Sequence, residues 1–126
     1  MADYYNHLYR KGQTSQYTSE NICIVPGGRA GLTRIMAVLG NTQVGYFTPE
    51  YTAYEQALGL FLRTTPSALL HRDINAAIMN PEDFAFEING RGVGAMLLSN
   101  PANPTGQSLE GKNLEVYVEI ARDQDW

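Results

Sequence analysis

The sequence predicts an α/β fold, and three observations support this prediction. Helical and extended segments alternate along the 126 residues, the pattern of a sheet covered by helices. The chain is 44% hydrophobic and 17% charged, as is typical of a globular protein. Prolines and glycines interrupt the chain after several of the apolar runs, where turns are expected. A chain of this length is at most one ordinary domain.

Apolar residues at helical spacing predict five helices. In the clearest, apolar residues occupy positions i, i+3, i+4 and i+7 from Leu32 to Leu39, before a stop at Gly40. Another begins at Pro81, with Asn80 as its cap. In chain order the predicted helices are Asp3–Lys11, Leu32–Leu39, Tyr54–Phe61, Pro81–Phe86, and a last one from about Leu109 with Leu114, Tyr117, Val118 and Ala121 on one face.

Short runs rich in β-branched residues predict buried strands between these helices. They are Asn21–Val25, Val44–Phe47, the weaker Leu62–Thr65, and the strong candidate Val93–Leu98. Cys23 lies in the first run and is predicted to be a small buried hydrophobe. As the only cysteine, it excludes an internal disulfide framework and a multi-cysteine metal site.

Charge and hydropathy exclude several classes of protein. The net charge of −4 and the scattered positions of the nine basic residues argue against nucleic-acid binding. Without a signal-peptide pattern or a run of about 18 apolar residues, no membrane segment is expected, and the expected location is cytoplasmic. The acidic residues Asp73, Glu82 and Asp83 and the histidines His7 and His71 show no catalytic or metal-binding spacing, so no metal site is predicted.

The most informative motif is the octet Ser99–Gly106, which follows a predicted buried strand. Ligands of open α/β sheets bind at the carboxyl ends of strands. Two Asn-Pro pairs restrict the backbone and remove two amide donors, which leaves the side chains of Asn100 and Asn103 as the available polar groups. A plain turn would explain one such pair, but the whole octet favours a binding loop.

A second motif, Pro26–Leu32, contains the turn Gly27-Gly28-Arg29 before a predicted helix. Backbone amides at a helix start can bind a phosphate, and glycines allow close approach. By itself the motif suits a structural turn equally well. It lacks the Gly-Lys-Ser/Thr ending of a P-loop and the glycine spacing of a dinucleotide-binding loop.

The third motif, Phe47–Tyr54, places an aromatic residue two positions after a proline that ends a strand. Tyr51 is suited to stacking on a flat ring. Tyr54 falls on the apolar stripe of the next helix and is predicted to belong to the core.

Together, and in their order along the chain, the three motifs resemble those of the class I/II aminotransferases, which are fold-type-I enzymes dependent on pyridoxal 5′-phosphate (PLP). The run Asn100–Gly106 is similar to their Asn-Pro-x-Asn-Pro-Thr-Gly signature, and the similarity extends from about Tyr4 to Arg122. The resemblance implies part of a three-layer α/β/α domain with a mainly parallel sheet. It also implies a homodimeric enzyme that moves an amino group between an amino acid and a 2-oxo acid.

The same resemblance implies roles for individual residues. Asn103 would donate to the 3-hydroxyl oxygen of PLP, and a cis Asn103–Pro104 peptide is suggested. Tyr51 would pack on the pyridine ring. Gly27, Gly28 and Arg29 would contact the phosphate, mostly through backbone amides. The family often has a hydroxyl residue in this loop, so glycines there imply a looser or shared grip on the phosphate.

Several parts of the family pattern have no match. PLP chemistry uses a lysine, but Lys11 and Lys112 are the only lysines and neither matches the position of the Schiff-base residue. Asp123 and Asp125 do not match the acid that pairs with the pyridine nitrogen. We therefore expect residues 1–126 to be the N-terminal part of a PLP-binding large domain, inactive and prone to associate when isolated. A lyase, decarboxylase or synthase of the same fold, a non-catalytic remnant and a regulator domain remain alternatives.

Overall fold

A computed structural model describes residues 1–61, 63–69 and 79–123. It divides the chain into two compact units, Met1–Gly31 and Leu32–Trp126, and each is described by itself. Helices and parallel strands alternate along the chain, which confirms the predicted α/β class. The elements are α1 (Ala2–Tyr9), α2 (Gly28–Val38), β1 (Thr42–Phe47), α3 (Ala53–Leu58), β2 (Thr64–Leu69), α4 (Pro81–Arg91), β3 (Val93–Leu97) and α5 (Gly111–Arg122).

The first unit consists of α1, a loop fastened by side chains, and the first residues of α2. The carboxamide of Asn6 donates to the carbonyl of Tyr17 and accepts from its N–H, both at 2.8 Å. The Arg10 guanidinium lies 4.9 Å from the centre of the Tyr17 ring. These contacts close the loop that follows α1. The apolar stripe predicted for this helix is exposed in the structure at Tyr5, Leu8 and Tyr9.

The predicted strand Asn21–Val25 is wrong. Residues Ser19–Asn21 form a 3-10 helix, in which Thr18 and Asn21 exchange capping hydrogen bonds. Beyond it the backbone is extended at Ile22, but no described strand pairs with it. Cys23 is therefore exposed rather than buried. A β-branched run predicts extended backbone, whereas a strand also requires a hydrogen-bonding neighbour.

The second unit is built on a parallel sheet whose described strands are ordered β2-β1-β3. The pairing of β1 with β2 is regular, and the pairing of β1 with β3 is irregular between Gln43 and Val44. Pro66 lies within β2, at the edge of the described sheet, where a missing N–H is tolerated. The weakly predicted strand Leu62–Thr65 is thus displaced towards the C-terminus in the structure, and Leu62 lies outside the described residues.

Helices cover both faces of this sheet, which makes a three-layer α/β/α arrangement. Residues of α2 and α3 pack on one face in a cluster that we call the α2–α3 core, whose buried members are Met36, Val44, Tyr54 and Leu58. On the other face, which carries α4 and α5, lies the α4–α5 core, with Leu69, Met79, Phe84, Ile88, Val93, Leu109 and Tyr117. Alternate residues of β1 point to opposite faces, as a strand requires.

Several helix predictions need correction, and the helix predicted for Tyr54–Phe61 ends at Leu58. Helix α4 continues past the predicted end at Phe86 to Arg91, and stops where Gly92 takes a left-handed conformation with φ 59°. Helix α5 begins at Gly111, because Leu109 is held in the preceding loop and buried. On the predicted apolar faces, Ile35 and Val118 are each 55% exposed. Within the described residues no helix has the length and apolar character needed to cross a membrane.

Tyr117 joins α5 to the rest of the α4–α5 core. Its ring stacks on Phe84 with centroids 4.3 Å apart, and its hydroxyl donates to the backbone carbonyl of Met79. Burial, with a smaller contribution from the negative charge of Asp83, raises the pKa of Tyr117 to about 12. The folded chain therefore favours the neutral phenol.

We expect Tyr117 to make the chain less stable at alkaline pH. Its folded-state pKa lies above the ordinary value of 10.0. The contribution of the neutral Tyr117 phenol to the free energy of unfolding is therefore fully present below pH 10. It is lost as the pH rises towards 12, because the unfolded chain then releases the proton first. Tyr117→Phe should flatten this alkaline slope in urea unfolding measured between pH 8 and 12.

The same substitution should lower the free energy of unfolding at pH 8 by about 1–3 kcal/mol, because it leaves the Met79 carbonyl without its donor. A residual slope is expected from Tyr46, whose pKa is raised by burial and by the charge of Glu55. An unchanged alkaline slope in Tyr117→Phe would contradict the assignment.

Candidate functional site

Two loops at the carboxyl edge of the sheet carry the strongest sequence motifs. One follows β1 and contains Tyr51, and the other follows β3 and contains Asn103. Since β1 and β3 are adjacent and parallel, both loops leave the sheet at the same edge. This is the edge at which open α/β sheets bind their ligands.

Side-chain hydrogen bonds link the two loops directly. One carboxylate oxygen of Glu50, Oε1, accepts from the N–H of Tyr51 at 3.0 Å. The other, Oε2, accepts from the N–H of Ser99 at 3.3 Å. The hydroxyls of Tyr54 and Ser99 lie 2.9 Å apart and form a second link. The loop after β1 is thereby fastened to the residue that begins the Asn-Pro octet.

Tyr54 belongs to the core, as the sequence predicted, whereas Tyr51 lies at the margin of that core. Tyr54 is 7% exposed and belongs to the α2–α3 core, and its hydroxyl also binds Ser99. Tyr51 is half-buried and packs at the margin of the same core. The two rings meet edge to face, with centroids 5.7 Å apart and planes at 84°. This contact holds one edge of the Tyr51–Tyr54 pair against the core.

The two asparagines of the octet differ in their hydrogen bonding. The carboxamide of Asn100 donates to the Leu109 carbonyl at 2.8 Å and accepts from the Leu109 N–H at 2.9 Å. Asn103 is exposed, and its side chain forms no hydrogen bond to another described residue of this unit. The Asn103–Pro104 peptide is cis, which confirms the suggestion from sequence. Asn103 is thus the carboxamide that can donate to a ligand.

Backbone hydrogen bonds inside the octet loop support this arrangement. The N–H of Ala102 donates to the carbonyl of Gln107, and the N–H of Gly106 donates to the carbonyl of Ala102, both at 2.7 Å. The Asn100–Pro101 peptide is cis as well. The loop that presents Asn103 is therefore closed by its own backbone and by the Asn100 side chain.

The glycine motif lies in the first unit, where it begins α2 as predicted. Gly27 has φ 92°, a conformation that favours glycine, and its carbonyl accepts the Gly31 N–H at 3.3 Å. Gly28 and Arg29 form the exposed first residues of the helix, and a Cβ added to Gly28 would have no atom within 4 Å. Backbone amides at such a helix start are suited to an anion.

The remaining ionisable residues show no catalytic arrangement in the described residues. Lys11 and Lys112 are exposed, and Asp123 is the C-cap residue of α5. Asp83 is buried, and its carboxylate accepts from the Asn80 carboxamide at the start of α4. No group of three metal-binding side chains occurs in the part of the chain that the structure describes. His71, Asp73 and Asp125 lie outside the described residues.

The structure therefore brings Tyr51 and Asn103 onto two loops that are bonded to each other, whereas Gly27, Gly28 and Arg29 belong to the first unit. The sequence motifs missed Glu50, which joins those loops. Its partner Ser99 lies 49 residues away, so no local pattern could indicate the contact.

Comparison with known proteins shows the fold. No protein-family model and no curated protein matches the chain. The PLP-bound C-S lyase from Staphylococcus hominis is 18% identical with a TM-score of 0.75, over 97% of this chain and 31% of that one. The PLP-bound putative aminotransferase from Clostridium difficile 630 is 19% identical with a TM-score of 0.71, over 96% of this chain and 30% of that one.

The chain spans about a third of the length of these two solved structures. Almost all of it is matched in both cases. The chain therefore has the α/β fold of the corresponding part of these two PLP-bound proteins.

Proposed function

We propose that this chain is the PLP-holding part of a fold-type-I enzyme that transfers an amino group between an amino acid and a 2-oxo acid. One observation carries the proposal: Tyr51 and Asn103 lie on adjoining loops at the carboxyl edge of the sheet, and Glu50 bonds those loops together. The likeness of the fold to two PLP-bound proteins supports the choice of cofactor.

The chemistry of the donor set suits each part of PLP. The exposed carboxamide of Asn103 would donate to the phenolate oxygen of the pyridine ring, because Asn100 is already bound to Leu109. The half-buried ring of Tyr51 would pack on the pyridine ring. The backbone amides at Gly27, Gly28 and Arg29 would hold the phosphate.

These residues bind and orient the cofactor rather than perform the reaction. When bound, PLP supplies an electron sink that stabilises negative charge at the substrate Cα. Asn103 stabilises negative charge on the ring oxygen, and Tyr51 fixes the plane of the ring. We propose that the catalytic lysine is neither Lys11 nor Lys112, since neither matches the position of the Schiff-base lysine in the family that the sequence resembles, and both are exposed. The complete enzyme would be a cytoplasmic homodimer.

A C-S lyase is the second candidate, because one of the two matched structures is such an enzyme. The residues described above would hold PLP equally well in either reaction, and none of them is assigned to the substrate. Product analysis of the complete enzyme separates the two: amino transfer yields a new amino acid from a 2-oxo acid, whereas a C-S lyase releases a sulfur-containing product.

Asn103→Ala is expected to weaken PLP binding about tenfold or more, because hydrogen bonds to charged groups contribute about 1.5–3 kcal/mol. Equilibrium dialysis of PLP against the chain measures this. Asn113→Ala is the matched control, because Asn113 is an exposed asparagine on α5 away from the octet. Equal PLP affinity in Asn103→Ala and Asn113→Ala would contradict the role of Asn103, and failure of the unchanged chain to bind PLP would contradict the proposed function.

A further inference from the structure

Glu50 holds a position that the cofactor contacts alone do not explain. It directly follows Pro49 and is partly buried between the two loops of the candidate site. Each of its carboxylate oxygens accepts from a different backbone N–H, one from Tyr51 and one from Ser99. Hydrogen bonds to an ionised acceptor are stronger than neutral ones, so this carboxylate is an effective link.

The link continues on both sides towards residues assigned to the cofactor. On one side, Glu50 binds the backbone of Tyr51 itself. On the other, Ser99 is followed by Asn100, whose carboxamide closes the loop that presents Asn103. The Tyr54 hydroxyl reinforces the same junction at Ser99. Displacing Glu50 would therefore remove the link that joins the backbone of Tyr51 to Ser99 and leave the Tyr54–Ser99 contact to hold the two loops together.

We propose that Glu50 is a positioning residue of the PLP site, which fixes Tyr51 and Asn103 at the mutual distance that the cofactor ring requires. This inference rests on the proposed function. It assigns to Glu50 an effect on the affinity and the orientation of bound PLP, without contact between Glu50 and the cofactor.

The proposed role of Glu50 requires a side chain with two acceptor oxygens, one for the N–H of Tyr51 and one for the N–H of Ser99. Glutamine has the size of glutamate but only one carbonyl oxygen. In Glu50→Gln, the side-chain NH2 group would face the backbone N–H of either Tyr51 or Ser99. Both groups are hydrogen-bond donors, so they cannot bond to each other. One of the two links must then break, although the volume of the side chain is unchanged.

Glu50→Gln is expected to weaken PLP binding about tenfold, as measured by equilibrium dialysis. It should also reduce the induced circular dichroism of PLP at saturation, because a less restrained ring takes several orientations. Glu115→Gln is the matched control, since Glu115 is an exposed residue of α5 and the change in charge is the same. Affinity and dichroism equal to those of Glu115→Gln would overturn the proposal.

Amide hydrogen exchange in the unchanged chain provides a test that needs no variant. PLP should slow exchange at the N–H groups of Tyr51 and Ser99 together, because both bond to the carboxylate that joins the two loops on which the cofactor would be held. If PLP binds and neither amide is slowed, the positioning role is wrong and the proposed function stands. If the unchanged chain binds no PLP, the proposed function itself fails.

Discussion

Replacing Phe84 with alanine is expected to lower the free energy of unfolding by about 3–5 kcal/mol, the largest effect of any single change proposed for this chain. Phe84 is 3% exposed in the α4–α5 core. Its ring stacks on Tyr117 at 4.3 Å and lies 6.0 Å from the Phe47 ring. The substitution would leave a cavity among α4, α5 and the sheet. Urea unfolding followed by circular dichroism measures the change.

The matched control is Phe86→Ala in the same helix. Phe86 is 60% exposed, so the same loss of a ring should change the free energy of unfolding far less. The comparison removes the effects of helix propensity and of residue type. Similar losses for Phe84→Ala and Phe86→Ala would contradict the placement of α4 on the sheet.

Gly45→Ala is expected to lower the free energy of unfolding by about 1–3 kcal/mol, although alanine suits a strand at least as well as glycine does. A Cβ at this position would lie 2.9 Å from Cγ1 of Val93 and in closer contact with the sulfur of Met96. Met96 is flexible and can move aside. Val93 is β-branched and buried in the α4–α5 core, so β1 and β3 would have to separate.

Gly90→Ala provides the contrast, because a Cβ at this exposed position of α4 would have no atom within 4 Å. Alanine is the better helix former, so this variant should be more stable by about 0.5–1 kcal/mol. The two glycine variants are thus expected to change the denaturation midpoint in opposite directions. A stabilising Gly45→Ala would contradict the register of β1 and β3.

The elements that could be predicted from sequence are those with a strong apolar pattern. β3, the start of α4 at Pro81 and the core stripe of α2 at Met36 followed from local spacing and capping signals. β2 was predicted only weakly and was displaced, because it buries the polar residues Thr64 and Ser67. The Thr64 hydroxyl donates to the Leu58 carbonyl at 3.0 Å. This hydrogen bond allows the polar side chain to be buried, and a hydropathy pattern cannot reveal it.

The residues of the candidate site can likewise be separated into those that the sequence could predict and those that it could not. Tyr51, Asn103 and the glycine turn could be proposed because each belongs to a local motif with a fixed spacing. Glu50 could not, because its partner becomes a neighbour only when β1 and β3 pair. The opposite error occurred at Cys23, where a local apolar run indicated burial but no described neighbouring strand covers it.

The central proposal is that the glycine turn, Tyr51 and Asn103 bind one molecule of PLP. Titration of the isotopically labelled chain with PLP, followed by NMR, tests it most directly. The backbone amides of Gly28 and Tyr51 and the side-chain amide of Asn103 should shift together and saturate at the same PLP concentration. Pyridoxal without its phosphate should leave the Gly28 signal in place. Shifts that saturate at different concentrations, or that avoid these three residues, would contradict the proposal.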